Sequence, residues 1–502
     1  MTNHAFDALI GRADAAERPF LHLEDGSTWT HGDFADRAAR LQAKLVAAGL
    51  VPGDRVAVQV AKHPDALALY AGCLRGGFVF LPLNTAYSPA ELDHFVSDSG
   101  AALFVCDGEA ADALAPVVAR AGCKLTTLAD LAGGLDDVTP GAVAARGPDD
   151  LGAILYTSGT TGRSKGAMLT HANLLSNAEA LCTVWHFTES DILIHALPVF
   201  HTHGLFVATN ITLAARSSMI FQSRFDPDAV LAAMPGASVL MGVPTFYTRL
   251  LDHPGLTREA TAHMRLFVSG SAPMLTETHH AWHEATGHWI LERYGMTETN
   301  MNTSNPYEGE RRPGTVGMPL PGVEVRITGE GRAPMAEDET GMIEVRGPNV
   351  FKGYWKLPEK TAEELGPDGW FITGDLGKMS ADGYLSIVGR QKDLVISGGY
   401  NIYPKEVEQV LDDLPGVLES AVIGVPHPDM GEAVLAVIVP QAGQQPDIDG
   451  LRSALSDKLA RFKQPRQIVL ADALPRNTMG KVQKNALRET HGAAFIQDYV
   501  KP

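Results

Sequence analysis

The chain runs to 502 residues, 45% hydrophobic and 20% charged, close to the globular average, which excludes disorder or coiled coil as its main state. At about 150 residues per domain, that length allows three packing units, or one large domain and a smaller one. Its 41 Lys and Arg face 59 Asp and Glu, a net charge of −18, so bulk attraction to nucleic acid or anionic lipid is excluded and any phosphate must be met by a local site.

Thr30 and Asp33 form a helix-capping pattern, and the helix they open reaches Gly49, a C′ glycine with Pro52 just beyond. Short β-leaning runs follow at 55–60, 103–106, 151–156, 192–197, 238–243 and 265–269. Helix-length segments separate them, which predicts crossover units and mostly parallel sheet. From about Gly322 the pattern changes to close-spaced runs at 323–328, 342–346 and 384–388, the signature of a smaller antiparallel sheet or barrel. Beyond Gly389 a third pattern begins: a helix at 404–414, strands at 421–425 and 433–439, a helix at 448–462 and a strand at 467–470.

The expected fold class is α/β. A large N-terminal domain, 1–390, holds parallel-rich sheets and the small antiparallel part; a smaller α+β domain, 391–502, follows on a hinge. The link Gly389-Arg-Gln-Lys392 is short and polar, so the two bodies are expected to touch.

Cys73, Cys106, Cys123 and Cys182 are scattered, which suits reduced thiols better than disulfides or a zinc site. The N-terminus carries Asp7, Asp14 and Glu17 and has no apolar leader core. The best apolar run, 66–74, stops at Arg75, short of the ~18 residues of a membrane helix. A cytoplasmic protein without membrane or nucleic-acid partners is expected.

The strongest chemical signal is TSGTTGRSKG at 157–166, directly after an apolar strand. Glycines let backbone N–H groups approach an anion, hydroxyls add donors and Lys165 adds charge, which together suit a polyphosphate cradle. The spacing of Gly159 and Gly162 is not that of a Walker A loop. The same segment contains G-x-S-x-G, but a nucleophile elbow needs the strand to run straight into its first glycine, and here 157–161 intervene. His283-Glu-Ala-Thr-Gly-His288 has one residue too many for the zinc motif and, with His279 and His280, reads as a solvated helix. His201-Thr-His203 reads as a loop at a strand's carboxyl end, where α/β sheets bind ligands, and a structural role for it stays open. In YGMTET, Glu298 sits among hydroxyls as a candidate magnesium ligand. Thr373-Gly-Asp375 offers a carboxylate in a tight turn, and PRNTMGK places Lys481 in a polar loop.

Together and in this order, TSGTTGRSKG, YGMTET, TGD, GRQKDLVISGGYNIYPKEVE and PRNTMGK resemble the adenylate-forming superfamily of acyl-CoA synthetases, luciferases and peptide-synthetase adenylation domains. The resemblance implies attack of a carboxylate on the α-phosphate of Mg-ATP, then displacement of AMP by a thiol. Coenzyme A is expected as acceptor in preference to a carrier-protein thiol. By the same resemblance Thr157, Ser158, Gly159, Thr160, Thr161, Gly162 and Lys165 hold the β/γ-phosphates, Glu298 holds Mg2+, and Thr297 lies near the α-phosphate. Gly270, Ser271 and Ala272 line the nucleotide and acyl pocket. Glu292, Arg293, Tyr294, Gly295 and Met296 border the nucleotide, with Tyr294 on the adenine. Asp375 takes the ribose, helped by Arg390. Lys481 is the catalytic cation, Lys392 the pivot of a domain rotation, and Ser397, Gly398 and Gly399 face the pantetheine channel.

HALPVFHTHGLF, GVPTFYTRLL and LERYGMTETNMNTSNP further resemble malonyl-CoA synthetases. The resemblance puts His201, Arg249 and Arg293 at the acyl pocket. Buried arginines there would suit the second carboxylate of a short dicarboxylic acid such as malonate or methylmalonate. The alternative is a synthetase for a medium-chain or aryl acid.

Overall fold

The structure, a computed structural model, describes residues 2–157, 164–397, 400–427, 430–477 and 480–495. One seven-stranded sheet runs in the order Gly353–Tyr354, Lys165–Thr170, Leu151–Thr157, Val79–Pro82, Arg55–Gln59, Leu103–Cys106 and Lys124–Thr127. Its strands from Leu151–Thr157 to Lys124–Thr127 pair in parallel. The helix Pro64–Gly76 is buried on nearly all sides, so the apolar run at 66–74 belongs to a core helix. Gly77, in the left-handed region with φ +69°, ends it.

A second sheet of nine strands has a parallel centre, Leu291–Met296, Leu266–Ser269, Val239–Gly242, Ile192–His195 and Ser218–Phe221. Three of these strands were expected as the runs at 192–197, 238–243 and 265–269. The strands Glu324–Thr328, Gly341–Arg346, Phe371–Met379 and Leu385–Arg390 form an antiparallel sheet of four. Arg390 closes that sheet, Gln391–Asp393 makes one tight helical turn, and Val395 opens the five-stranded sheet of the C-terminal part. Two apolar clusters are built entirely from residues between 395 and 495.

The Thr30 hydroxyl accepts from the Asp33 N–H and the Asp33 carboxylate accepts in return, the full capping box. All four cysteines are free.

Four local expectations change. Lys165–Thr170 runs antiparallel to Leu151–Thr157, its neighbour on the sheet, where a parallel crossover was expected. Thr373-Gly-Asp375 lies inside the long strand Phe371–Met379; Gly374 at φ +73° and a register shift after Leu376 give the local kink that reads as a turn. The helix expected at 448–462 stops at Lys458, where Leu459 becomes extended and buries its side chain in the C-terminal core. The segment after His201 is no loop: a π-helical stretch, His203–Thr209, leads into the helix Asn210–Ala215.

Candidate functional site

The carboxyl ends of the parallel strands Ile192–His195, Val239–Gly242 and Leu266–Ser269 converge on one cleft, where open α/β sheets bind ligands. Arg293, on Leu291–Met296, is 3% exposed, and its Nε and Nη2 have no hydrogen-bond partner among the described residues. Burial presses the guanidinium toward its neutral form, a strain that an anion would relieve. Gly270 makes room for it: any Cβ there would overlap the guanidinium. Next along the chain, Ser271 is held at φ +72°, and its Oγ lies 3.3 Å from His203 Nδ1.

His203 Nε2, His201 Nε2, Thr202 Oγ1 and Ser269 Oγ are also buried without partners among the described residues. Burial lowers His203 well below the usual range, with Arg293 adding to it. Burial and the nearby Lys481 lower His201 to about 3. This is a neutral, donor-rich wall around one cation. His195 behind it donates from Nε2 to the Gly204 carbonyl at 2.9 Å, while Lys62 Nζ, 2.9 Å from Nδ1, fixes that tautomer.

Arg249 does not join this wall. It lies exposed on the helix Pro244–Leu251, its guanidinium 5.3 Å from the Phe225 ring centre. Its helix presents Phe246, Tyr247 and Leu250 to the core, which turns the arginine outward.

The strand end holding Tyr294 forms a second group. The Tyr294 hydroxyl donates to Asp375 at 2.6 Å, and Arg390 Nε is 2.8 Å from the other Asp375 oxygen. Asp375 and Arg390 are direct cross-strand partners in the antiparallel sheet. Gly295 is required by the turn, because a Cβ there would overlap the Asn300 carbonyl. Met296 and Thr297 are half-buried, as are Ser271 and Ala272. Glu292 turns to a different neighbour: its Oε1, without a hydrogen bond among the described residues, lies 3.7 Å from His279 Nε2, and burial raises its carboxyl to about 8. His279 is therefore buried, contrary to the solvated helix expected, and His283 stacks on Trp289 at 3.9 Å.

Glu298 is 5% exposed and sits in the turn before Asn300–Ser304. Its Oε1 is 3.0 Å from the Tyr354 hydroxyl, burial raises its carboxyl, and the buried Thr299 Oγ1 beside it has no partner among the described residues. A carboxylate and spare oxygens, with no soft ligand, fit a hard cation such as Mg2+, which takes one or two carboxylates plus substrate phosphates. Lys165 Nζ lies 3.2 Å from Glu364 and 4.0 Å from the centre of the Tyr354 ring. Tyr354 and Glu364 were missed from sequence. Glu364 reads there as one more acid on a solvated helix, and Tyr354 as one more core aromatic.

Thr157 faces Lys165 across the strand pair. Ser158, Gly159, Thr160, Thr161 and Gly162 lie outside the described residues, as do Gly398 and Gly399. Ser397 is buried in its strand, and Lys392 is exposed in the turn between sheets. Lys481 reaches the cleft from the C-terminal part. A side chain at Gly480 would touch Thr245 at 3.7 Å, so this loop rests on the helix that also carries Arg249. Lys481 is open to solvent yet ringed by protein: crowding, then Arg390 and Arg293, lower it to about 8, while Asp375 and Glu298 oppose them.

Residues 11–355 match the AMP-binding enzyme family, and residues 406–481 match the AMP-binding enzyme C-terminal domain. The chain belongs to the AMP-binding enzyme family. Among solved relatives of this AMP-binding enzyme is ATP-bound MatB from Rhodopseudomonas palustris, 53% identical over 99% of this chain and 100% of that one, with a TM-score of 0.96. The apo crystal structure of the same protein matches at a TM-score of 0.85. A feruloyl-CoA synthase from an Amycolatopsis species is 38% identical over 93% of this chain and 95% of its own. A malonate–CoA ligase of Arabidopsis thaliana is 33% identical over 93% of this chain and 85% of its own. Among the described residues of this AMP-binding enzyme, no helix is long and apolar enough to cross a membrane.

Proposed function

We propose that this AMP-binding enzyme is a malonyl-CoA synthetase, joining malonate, with methylmalonate as a second substrate, to coenzyme A through an acyl-adenylate and releasing AMP and pyrophosphate. The carrying observation is Arg293, a buried guanidinium with two nitrogens unpartnered among the described residues. An apolar acid would leave that cation desolvated and unpaired, a loss of the kind that costs several kcal/mol, whereas a second carboxylate pairs with it bidentately. Malonate–CoA ligases among the relatives support the same reading. We also assign His201 to the acyl wall, where its buried Nε2 has no partner among the described residues. Arg249 is the weaker candidate, exposed and without a carboxylate partner among the described residues.

In the first step, Asp375 accepts the ribose hydroxyls while Tyr294 and Arg390 hold that carboxylate in place. Tyr294 presents its ring to the adenine, with Gly270, Ser271, Ala272, Gly295 and Met296 around the nucleotide. The loop from Thr157 to Lys165 takes the β/γ-phosphates, and Thr297 lies at the α-phosphate. Mg2+ at Glu298 would supply positive charge to the triphosphate. Lys481 reaches the attacking carboxylate and the α-phosphate, where negative charge grows in the transition state. We further propose that residues 391–502 move as a domain about Lys392, which withdraws Lys481 and brings Ser397, Gly398 and Gly399 to the thiol of coenzyme A. The cytoplasm suits this chemistry, since it supplies ATP and coenzyme A and keeps the four cysteines reduced.

Pyrophosphate release with Mg-ATP and coenzyme A tests the reading, with malonate, methylmalonate, acetate, butyrate, benzoate and ferulate compared in parallel. A malonate preference is expected. A benzoate or ferulate preference, in keeping with the feruloyl-CoA synthase relative, would replace malonate by an aryl acid and leave the adenylation chemistry standing.

A further inference from the structure

We propose that Glu364 is a positioning residue that serves as an exchange counter-ion for Lys165: it holds the lysine before ATP arrives, yields it to the β/γ-phosphates, and takes it back as pyrophosphate leaves. This rests on the reading that the loop ending at Lys165 binds the triphosphate.

The geometry allows the exchange at small cost. Lys165 Nζ lies 3.2 and 3.5 Å from the two Glu364 oxygens, over the face of Tyr354, with its side chain only 14% exposed. An ammonium that sheltered would be costly to leave without an anion. Glu364, at the end of the helix Pro358–Glu364, has other partners. Lys360 Nζ is 2.9 Å from Oε1, and the Tyr354 hydroxyl donates to Oε2 at 2.6 Å. When Lys165 leaves, the carboxylate keeps one cation and one hydroxyl, so it is not stranded. When the triphosphate leaves, the lysine returns to a carboxylate already in position.

The same Tyr354 hydroxyl lies 3.0 Å from Glu298. It carries one hydrogen for two carboxylates, and the shorter contact is to Glu364. Lys165 and the carboxyl proposed for Mg2+ are thus joined through Tyr354 and Glu364.

Glu364→Gln keeps the shape and removes the charge that competes with phosphate. The expected result is tighter binding of ATP and of pyrophosphate, about fivefold each by calorimetry without acid or coenzyme A, with AMP binding unchanged. Pyrophosphate should also become the stronger product inhibitor. A merely structural role would loosen ATP binding or leave it alone, and either result in a variant of unaltered melting temperature overturns the proposal. In a Lys165→Met background, Glu364→Gln is expected to change nothing, and a persisting effect would show that Glu364 does not act through the lysine. Glu364→Asp supplies a second variant with the charge kept, expected to bind ATP as wild type does; tightening there would also count against the exchange. Failure of the wild-type protein to bind ATP would instead remove the triphosphate reading itself.

Discussion

Gly270 lies so close to Arg293 that any side chain at position 270 would overlap the guanidinium. On the proposed reading, the absent Cβ thus shapes the acyl pocket. Gly270→Ala is expected to displace the guanidinium and raise KM for malonate about tenfold or more. ATP affinity measured alone should change far less, and equal losses would place Arg293 outside the acyl pocket.

Arg293→Ala removes the cation altogether. The expected loss in kcat/KM for malonate is about 10²–10³-fold, the scale of a buried charge losing its partner. Arg249→Ala, at an exposed position, is expected to lose less than about tenfold. Measuring both variants side by side ranks the two arginines, and a larger effect at Arg249 would mean that it swings inward with substrate bound.

Lys481 is lowered to about 8, first by crowding and then by Arg390 and Arg293. Its ammonium is the form that neutralises growing charge, so it is fully present below about pH 7 and is lost as pH rises through about 8. The limb of kcat/KM for adenylation, which reports the free enzyme, should fall in that window. In Lys481→Ala the limb should vanish along with about 10²–10³ of the adenylation rate. Thiol transfer from a supplied acyl-adenylate should survive. A pH profile that is the same in wild type and variant would assign the limb elsewhere.

Tyr294→Phe removes the 2.6 Å hydrogen bond to Asp375 while keeping the ring. A hydrogen bond to a charged group contributes about 1.5–3 kcal/mol, so kcat/KM for ATP is expected to fall roughly ten- to a hundredfold. Competition by adenosine and by adenine separates the two roles: adenosine should weaken, and adenine should not.

Much of this was legible in the sequence because motif and topology agree. The runs at 192–197, 238–243 and 265–269 are parallel strands, and Tyr294, Glu298, Asp375 and Lys481, singled out from separate motifs, lie near one another. What escaped was geometry that depends on neighbours distant in sequence. Glu364 is 199 residues from the lysine it pairs with. Arg249 was expected to be buried, and only the orientation of its helix turns it outward. His279 reads as part of a solvated helix in the sequence, yet it is buried beside Glu292, which comes from a strand. Local patterning specifies elements, whereas contacts across elements follow from packing.

The Asp375–Arg390 pair has a mechanical consequence. Arg390 is the last residue of its sheet, and the chain crosses to the C-terminal sheet within five residues, at Val395. On the proposed reading, sugar hydroxyls arriving at Asp375 share its oxygens with that arginine. The doorway between the two halves would then be latched from inside the nucleotide pocket, and AMP, on leaving, would hand the latch back.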